Sequence, residues 1–327
     1  MIQHLLQLIW NQRKQNAWLW AELLLVSVFL WFLVDYLYVM GRTYTAPLGF
    51  DIRHTYSIVI SSLSERSPDY IPKEKRERPD GVHLLTALDR IRTYPGVESA
   101  CLTDGGMPYY MGSRNLVWRI DTLQVPCRYA FVTPEFFDVF RIYDKDGKTA
   151  SLKRAIEDNN SIVISADVET MNPGLSLLGQ KAYRGNVTDE IEETIRGISV
   201  PIRRHEYTKA EPNVYRALRL SRMEEGYYEG MIDAVRLCVR VRPDVDNADF
   251  PARFRKDMAE QLRLGNLYLL DVQPLSYIRN GYIRSIGVEN EVKTRVASYW
   301  RIYSSASSVP SGSVRNIAKA RWGLGWP

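Results

Sequence analysis

Cysteine and histidine are scarce in this sequence, with three and four copies in 327 residues, and no zinc or disulfide framework can be assembled from them. Cys101, Cys127 and Cys238 lie too far apart for a metal-ligand spacing. One disulfide remains open outside the cytoplasm, while Cys101 and Cys127 sit in apolar, strand-like stretches where a buried free thiol serves equally well. His4, His54, His83 and His205 show no paired spacing and no H-E-x-x-H, and read as surface or interface residues. There is no G-x-S-x-G elbow and no visible Cys–His arrangement. The acidic doublets Glu192, Glu193 and Glu224, Glu225 are sequence neighbours, so their side chains diverge on any regular element and read as solvated charge rather than acid–base pairs. The glycine pair Gly174 and Gly179 has P-loop spacing, but Gln180 stands where the phosphate-binding lysine belongs, which leaves a turn entering a strand. No catalytic, cofactor-binding or metal-binding residue is therefore named, and the sequence does not read as an enzyme.

Charge of one sign is also thin. The formal net charge is +5, and Arg301, Arg315, Lys319 and Arg321 supply most of it from a tail, 298–327, that has no Asp or Glu. Without a basic stripe interleaved with aromatics, nucleic-acid binding has no support. The mixed-sign run at 73–78 follows Pro72 and reads as a solvated loop.

What the chain does have is one long apolar run. Positions 17–40 include only Glu22 and Asp35 as charged residues, and at about 1.5 Å of rise per residue they cover roughly 36 Å, enough for a bilayer core of about 30 Å. The run exceeds the h-region of a signal peptide, so it reads as a retained anchor. Arg13 and Lys14 before it, against Arg42 after it, place the N-terminus inside and the remainder outside. Upstream, Ile2, Leu5, Leu6, Leu8 and Ile9 share a helical side; residues 1–16 are either an amphipathic segment on the inner membrane surface or an extension of the span. Asp35 either faces a polar partner or snorkels to the outer interface.

Beyond the membrane the periodicity predicts strand, helix and strand at 56–63, 82–94 and 97–102, and again at 234–241, 250–264 and 267–272. Two such units pair into the split β-α-β arrangement, so the fold class is α+β. The stretch between them becomes an insertion with strands at 116–120, 127–132 and 161–165, and a helical turn at 134–140 capped by Thr133. A last helix over 275–297 returns the chain toward the membrane. The domains are thus 1–16, a span at 17–40, and an outside core at 41–297. Within that core the first lobe is about 51–103 and 231–274, the inserted lobe about 104–230, and the return helix about 275–297.

This layout, with P-L-G-F-D at 47–51, F-V-T-P-E-F-F at 131–137, S-I-V-I-S at 161–165 and N-E-V-K-T-R at 290–295, resembles the MacB-type, FtsX-like ABC transporter permeases encoded apart from their ATPase. The resemblance implies a two-lobed periplasmic domain, a bacterial inner-membrane location, a separate ABC ATPase as partner, and a homodimer or a paralogous permease, in addition to contact with the lipid bilayer. It also implies further spans after residue 297, where this chain has a polar tail that cannot cross a bilayer. A chain with one span and an outside domain is alternatively an anchored sensor or binding protein; an anchored hydrolase lacks any candidate site. Read one base earlier, the codons of Tyr299 and Trp300 force Leu, those of Trp322 and Gly323 force Gly, and the remainder is compatible with the close of a second span and a cytoplasmic G-T-F-W-F-R-T-Q-Y-R-K-G-E-M-G-I-R motif. The expectation is a frameshifted product, in frame to about Ala297, that does not transport by itself. Sequencing the coding DNA across 296–327 and beyond tests this: the neighbouring frame continues into further apolar spans, and stop codons in both frames would refute it.

Overall fold

The computed structural model describes residues 10, 17–112, 114–185 and 190–307. Residues 1–16 other than Trp10, and the tail from 308 onward, lie outside the described residues. The chain divides into two compact units, one containing the segments before Ala46 and after Ser285, the other Ala46–Ser285.

In the first unit, helix α1 (Ala17–Thr45) runs five residues beyond the predicted end of the span. Its Trp20–Thr45 stretch has a mean hydropathy of 2.2, and among the described residues it is the one helix long and apolar enough to cross a membrane. Leu24, Leu30, Phe32 and Val34 are exposed along it, as lipid-facing side chains would be. Helix α9 (Val288–Ser307) packs on α1, with the Arg295 guanidinium 5.6 Å from the Tyr36 ring centre. The expected continuous return helix is broken: α8 (Leu275–Ser285) ends before Gly287, whose φ of +67° is the left-handed conformation that stops a helix.

The second unit is α+β, built on one ten-stranded sheet. Its first part is the split β-α-β arrangement. β1 (Thr55–Ser62), α2 (Asp80–Arg92) and β2 (Val97–Asp104) form one unit; β9 (Val235–Val241), α7 (Phe250–Met258) and β10 (Leu267–Pro274) form the other. The strands lie antiparallel in the order β10-β1-β9-β2. Leu84, Leu88 and Ile91 of α2 and Phe250, Phe254 and Met258 of α7 bury against Ile58, Leu237 and Val239 on one sheet face. α7 stops six residues before the predicted boundary, because 259–264 turn into a tight bridge between Leu264 and Leu267 around Gly265 at φ +57°.

The insertion closes on itself. β3 (Asn115–Ile120), β4 (Leu123–Val132), β5 (Ser161–Ser165), β6 (Lys181–Arg184), β7 (Ile191–Ser199) and β8 (Asn213–Ala217) join in the ring β4-β3-β6-β7-β5-β8, with β8 returning parallel to β4. Trp118, Ile120, Ile162, Ile164 and Val214 fill this six-stranded barrel. A third core lies between the barrel's outer face and the other face of the first sheet. The short helices α3 (Phe136–Val139) and α4 (Ala150–Ala155) supply Phe136, Phe137 and Leu152 to it. Thr133 does not cap α3: its hydroxyl accepts the Leu102 N–H at 3.1 Å, and so joins β2 to the end of β4. α5 (Asp167–Met171) and α6 (Leu220–Glu224) are single turns. All three cysteines are free and buried. Cys101 stands opposite Cys238 in the β2–β9 ladder, while Cys127 points into the barrel core, so the neighbour available to Cys101 is Cys238 and not Cys127.

Two buried arginines fasten the segment that enters this unit. Arg240, at 0% exposure on β9, donates at 2.7 Å each to the carbonyls of Val139, Arg53 and Asp51. Arg203 donates to the Ala46 carbonyl at 2.5 Å and to that of Thr208 at 2.7 Å, while its backbone N–H donates to Leu48 O at 3.0 Å. Gly49, at φ +85°, allows the close approach: a Cβ there would stand 2.2 Å from the Pro201 carbonyl oxygen. Replacing Arg240 with Met leaves the Val139 and Asp51 carbonyls without a side-chain donor and the Arg53 carbonyl with the Thr55 hydroxyl alone. The expected cost is about 3–5 kcal/mol, read as a lowered urea or thermal midpoint of the full chain in detergent.

Candidate functional site

Strands β4 and β8, paired in parallel, form the seam from which two arginine-lined concavities open. Alternation along a strand sends neighbouring side chains to opposite faces. Tyr129 and Phe131 of β4 and Arg216 of β8 therefore face the mouth of the barrel, whereas Ala130 and Tyr215 face the helical core.

The first concavity, about 240 Å³, has five arginines, Arg114, Arg184, Arg216, Arg219 and Arg222, among rings of Tyr129, Phe131, Tyr227 and Tyr228. Two buried carboxylates answer three of them. Glu193 on β7 accepts from Arg216 at 2.5 Å, Arg184 at 3.2 Å and the Trp118 indole at 3.3 Å. Asp104 pairs with Arg114 at 2.9 Å and accepts from the Tyr228 hydroxyl. Burial drives the Asp104 carboxyl above its usual range despite Arg114. Arg219 and Arg222 reach no carboxylate among the described residues; Arg222 lies over the Tyr227 ring at 5.1 Å.

The second concavity, of about 40 Å³, is on the helical side of the same seam. The Gly105, Gly106 turn roofs it, held by the Thr103 hydroxyl, which accepts the Gly106 N–H at 3.1 Å. Arg128 of β4 and Arg204 line it, and the Nε of each is buried with no hydrogen-bond partner. No ion pair reaches either guanidinium among the described residues. Burial, and then repulsion from Arg204, pulls the Arg128 pKa below its ordinary value; Glu211 opposes this only at longer range. Beside the pocket, Glu206 accepts from Arg279 at 2.6 Å and from the Tyr109 hydroxyl at 2.8 Å.

The sequence-based expectations fare unevenly here. Glu193 is not solvated: its strand face turns into the barrel mouth, where two guanidiniums and the indole stabilise it, while Glu192 stays exposed with Lys181. His205 is buried rather than superficial, stacked near Tyr207 and Tyr282, and burial lowers its pKa. His54 bonds Asp246 through Nδ1 at 2.5 Å; His83 is half-buried; His4 lies outside the described residues. The mixed-charge run at 73–78 is not wholly solvated either, since Arg76 bonds Asp80 at 3.0 Å and Glu229 at 2.8 Å. The glycine pair Gly174 and Gly179 precedes β6, at φ +96° and +85°. Among the described residues no group of three or more His, Cys, Asp or Glu could hold a metal ion. Neither arginine pocket was legible in the sequence, because their members are scattered from Arg114 to Arg222.

No protein-family profile matches the chain, and no curated protein sequence matches it. Among solved structures it is similar to a domain of a protein described as a permease from Porphyromonas gingivalis, with 19% identity and a TM-score of 0.46, covering 70% of this chain and 92% of that one. It is similar to the periplasmic region of MacB from Actinobacillus actinomycetemcomitans, with 9% identity and a TM-score of 0.39, covering 70% and 94%. A third likeness is to the extracellular domain of the ABC-type transporter YknZ from Gram-positive bacteria, with 12% identity and a TM-score of 0.38, covering 66% and 100%.

Glu206 generates a pH prediction. Burial raises its pKa, but the bonds from Arg279 and Tyr109 outweigh that and leave it below the ordinary value of 4.5. A depressed carboxylate contributes stability that is present above its unfolded pKa and lost as pH falls through the folded one. The thermal midpoint of the wild type is therefore expected to fall more steeply below about pH 4.5 than that of Glu206→Gln, which starts lower at neutral pH. Parallel curves for the two proteins would contradict the assignment.

Proposed function

We propose that this chain is a permease subunit, or the non-functional N-terminal fragment of one, of a MacB/FtsX-like ABC transporter, in which a separate ATPase drives motion of a periplasmic domain. In this reading α1 spans the bacterial inner membrane with its N-terminus inside, and the unit Ala46–Ser285 works in the periplasm as part of a homodimer or beside a paralogous permease. The observation that carries it is the fastening of residues 46–53: Arg203 and Arg240 donate to four carbonyls of that segment, those of Ala46, Leu48, Asp51 and Arg53, so a displacement of its start is passed to the β sheet rather than absorbed by a slack linker. The split β-α-β unit with an inserted barrel, and the four short sequence motifs, support the same reading. No residue set in the chain supports a chemical step, and the proposal assigns it none.

The anchored binding protein remains the second reading, favoured by one observation: the unpaired Arg128 and Arg204 in their pocket. Isolation of the tagged full chain from native membranes in mild detergent discriminates. An ABC ATPase subunit is expected to co-purify, and the maleimide labelling rate of a cysteine placed at the exposed Lys209 is expected to change when ATP and vanadate are added. Isolation without any ATPase, and labelling indifferent to nucleotide, would overturn the reading as a working subunit.

A further inference from the structure

Two guanidiniums that share a pocket and have no ion-pair partner among the described residues are costly to bury. Desolvation penalises Arg128, and repulsion from Arg204 adds to it. Elsewhere in this domain Arg240 and Arg203 are answered by backbone carbonyls and Arg216 and Arg184 by Glu193, while Arg236, whose Nε is also buried without a hydrogen-bond partner, lies over the Tyr110 ring at 5.5 Å. Among the described residues Arg128 and Arg204 have no ion pair, and the buried Nε of each lacks a hydrogen-bond partner. The space before them, about 40 Å³, takes roughly three waters or one compact polyatomic anion, and is too small for a peptide segment or a drug-sized ligand. Its roof is the Gly105, Gly106 turn, with Gly105 at φ +83°, so no side chain intrudes from that side.

We propose that Arg128 and Arg204 hold a tetrahedral oxyanion of the phosphate or sulfate type in this pocket. Guanidinium forks match the oxygen edges of such an anion, and two of them balance a dianion. The anion is either free or the phosphate of an ester whose remaining part stays outside, since only the head fits. The site does not depend on the transporter reading; it belongs to the domain whatever the domain serves.

The test uses the full chain in detergent micelles, with thermal midpoints taken at constant ionic strength in chloride, inorganic phosphate or sulfate. Wild type is expected to gain about 2–4 °C in saturating phosphate or sulfate over chloride. Arg128→Met and Arg204→Met should lose that gain, and in chloride should be at least as stable as wild type, because an uncompensated charge has been replaced by an apolar chain of similar length. Arg219→Met, in the neighbouring concavity, should keep the gain. Equilibrium dialysis of labelled phosphate with Arg204→Gln, expected to bind at least ten-fold more weakly, serves as a second readout if a methionine variant fails to fold. Identical wild-type midpoints in all three salts, an undiminished gain in both methionine variants, or loss of the gain in Arg219→Met would overturn the proposal. Glycerol phosphate separates the sources: a gain equal to that from inorganic phosphate supports an ester head group, and no gain supports the free anion.

Discussion

The domain outside α1 depends on one buried guanidinium. Arg240 sits on β9, a central strand, and spends its donors on three backbone carbonyls from parts of the chain that have no ladder in common: Asp51 and Arg53 in the entering segment, and Val139 at the end of α3 in the insertion. A carbonyl buried without a donor is expensive, so each of these segments must stay where the guanidinium can reach it. The geometry is self-reinforcing, because Asp51 also donates its N–H to Phe140 O at 2.8 Å and Val241 donates to His54 O at 2.9 Å. A hydrophobic side chain at 240 would fill the volume and leave the two segments without a common reference.

Alternation along two paired strands organises the rest. β4 belongs to the barrel but also touches β2 through Thr103 and Asp104, opposite Val132 and Phe131, so it is the strand through which the first sheet and the insertion become one. Because its successive side chains diverge, a single strand feeds the barrel mouth with Tyr129 and Phe131 and the helical core with Ala130 and Val132. Charged groups gather at the seam for the same reason: they stand at the ends of both cores, where one side of the strand leaves apolar packing and meets a concavity.

The split β-α-β unit was legible in the sequence because its helices carry a clean 3.6-residue period, as in Phe250, Phe254 and Met258, and glycine breaks precede β2 and β10. The barrel was only partly legible. β7 reads I-E-E-T-I-R-G-I-S, and its acidic start disguised a strand whose Glu193 turns inward to meet Arg216 and Arg184. β6 is four residues long and has little pattern to show. Thr133 had the composition of a cap but serves the neighbouring strand, which is a tertiary choice no local rule anticipates. The arginine pockets were illegible in principle from one sequence: Arg128 and Arg204 are 76 positions apart, and nothing local marks either as unpaired.

The two arginines of the 203–204 pair bring these threads together. Adjacent in the chain, they meet opposite demands: Arg203 donates to backbone carbonyls, holding Ala46 and Thr208, while Arg204 lines the pocket with no partner at its Nε. A side chain bonded to three carbonyls, those of Ala46, Thr208 and Glu206, fixes the loop that carries it, and a fixed loop cannot withdraw its next residue into solvent to escape repulsion. The unpaired charge at 204 is thus held in place by the same bonds that fasten the entering segment. Any anion that relieves the repulsion between Arg204 and Arg128 also removes a force acting against that loop, so the order of the pocket and the stiffness of the chain's entry into the domain are linked through a single turn of backbone.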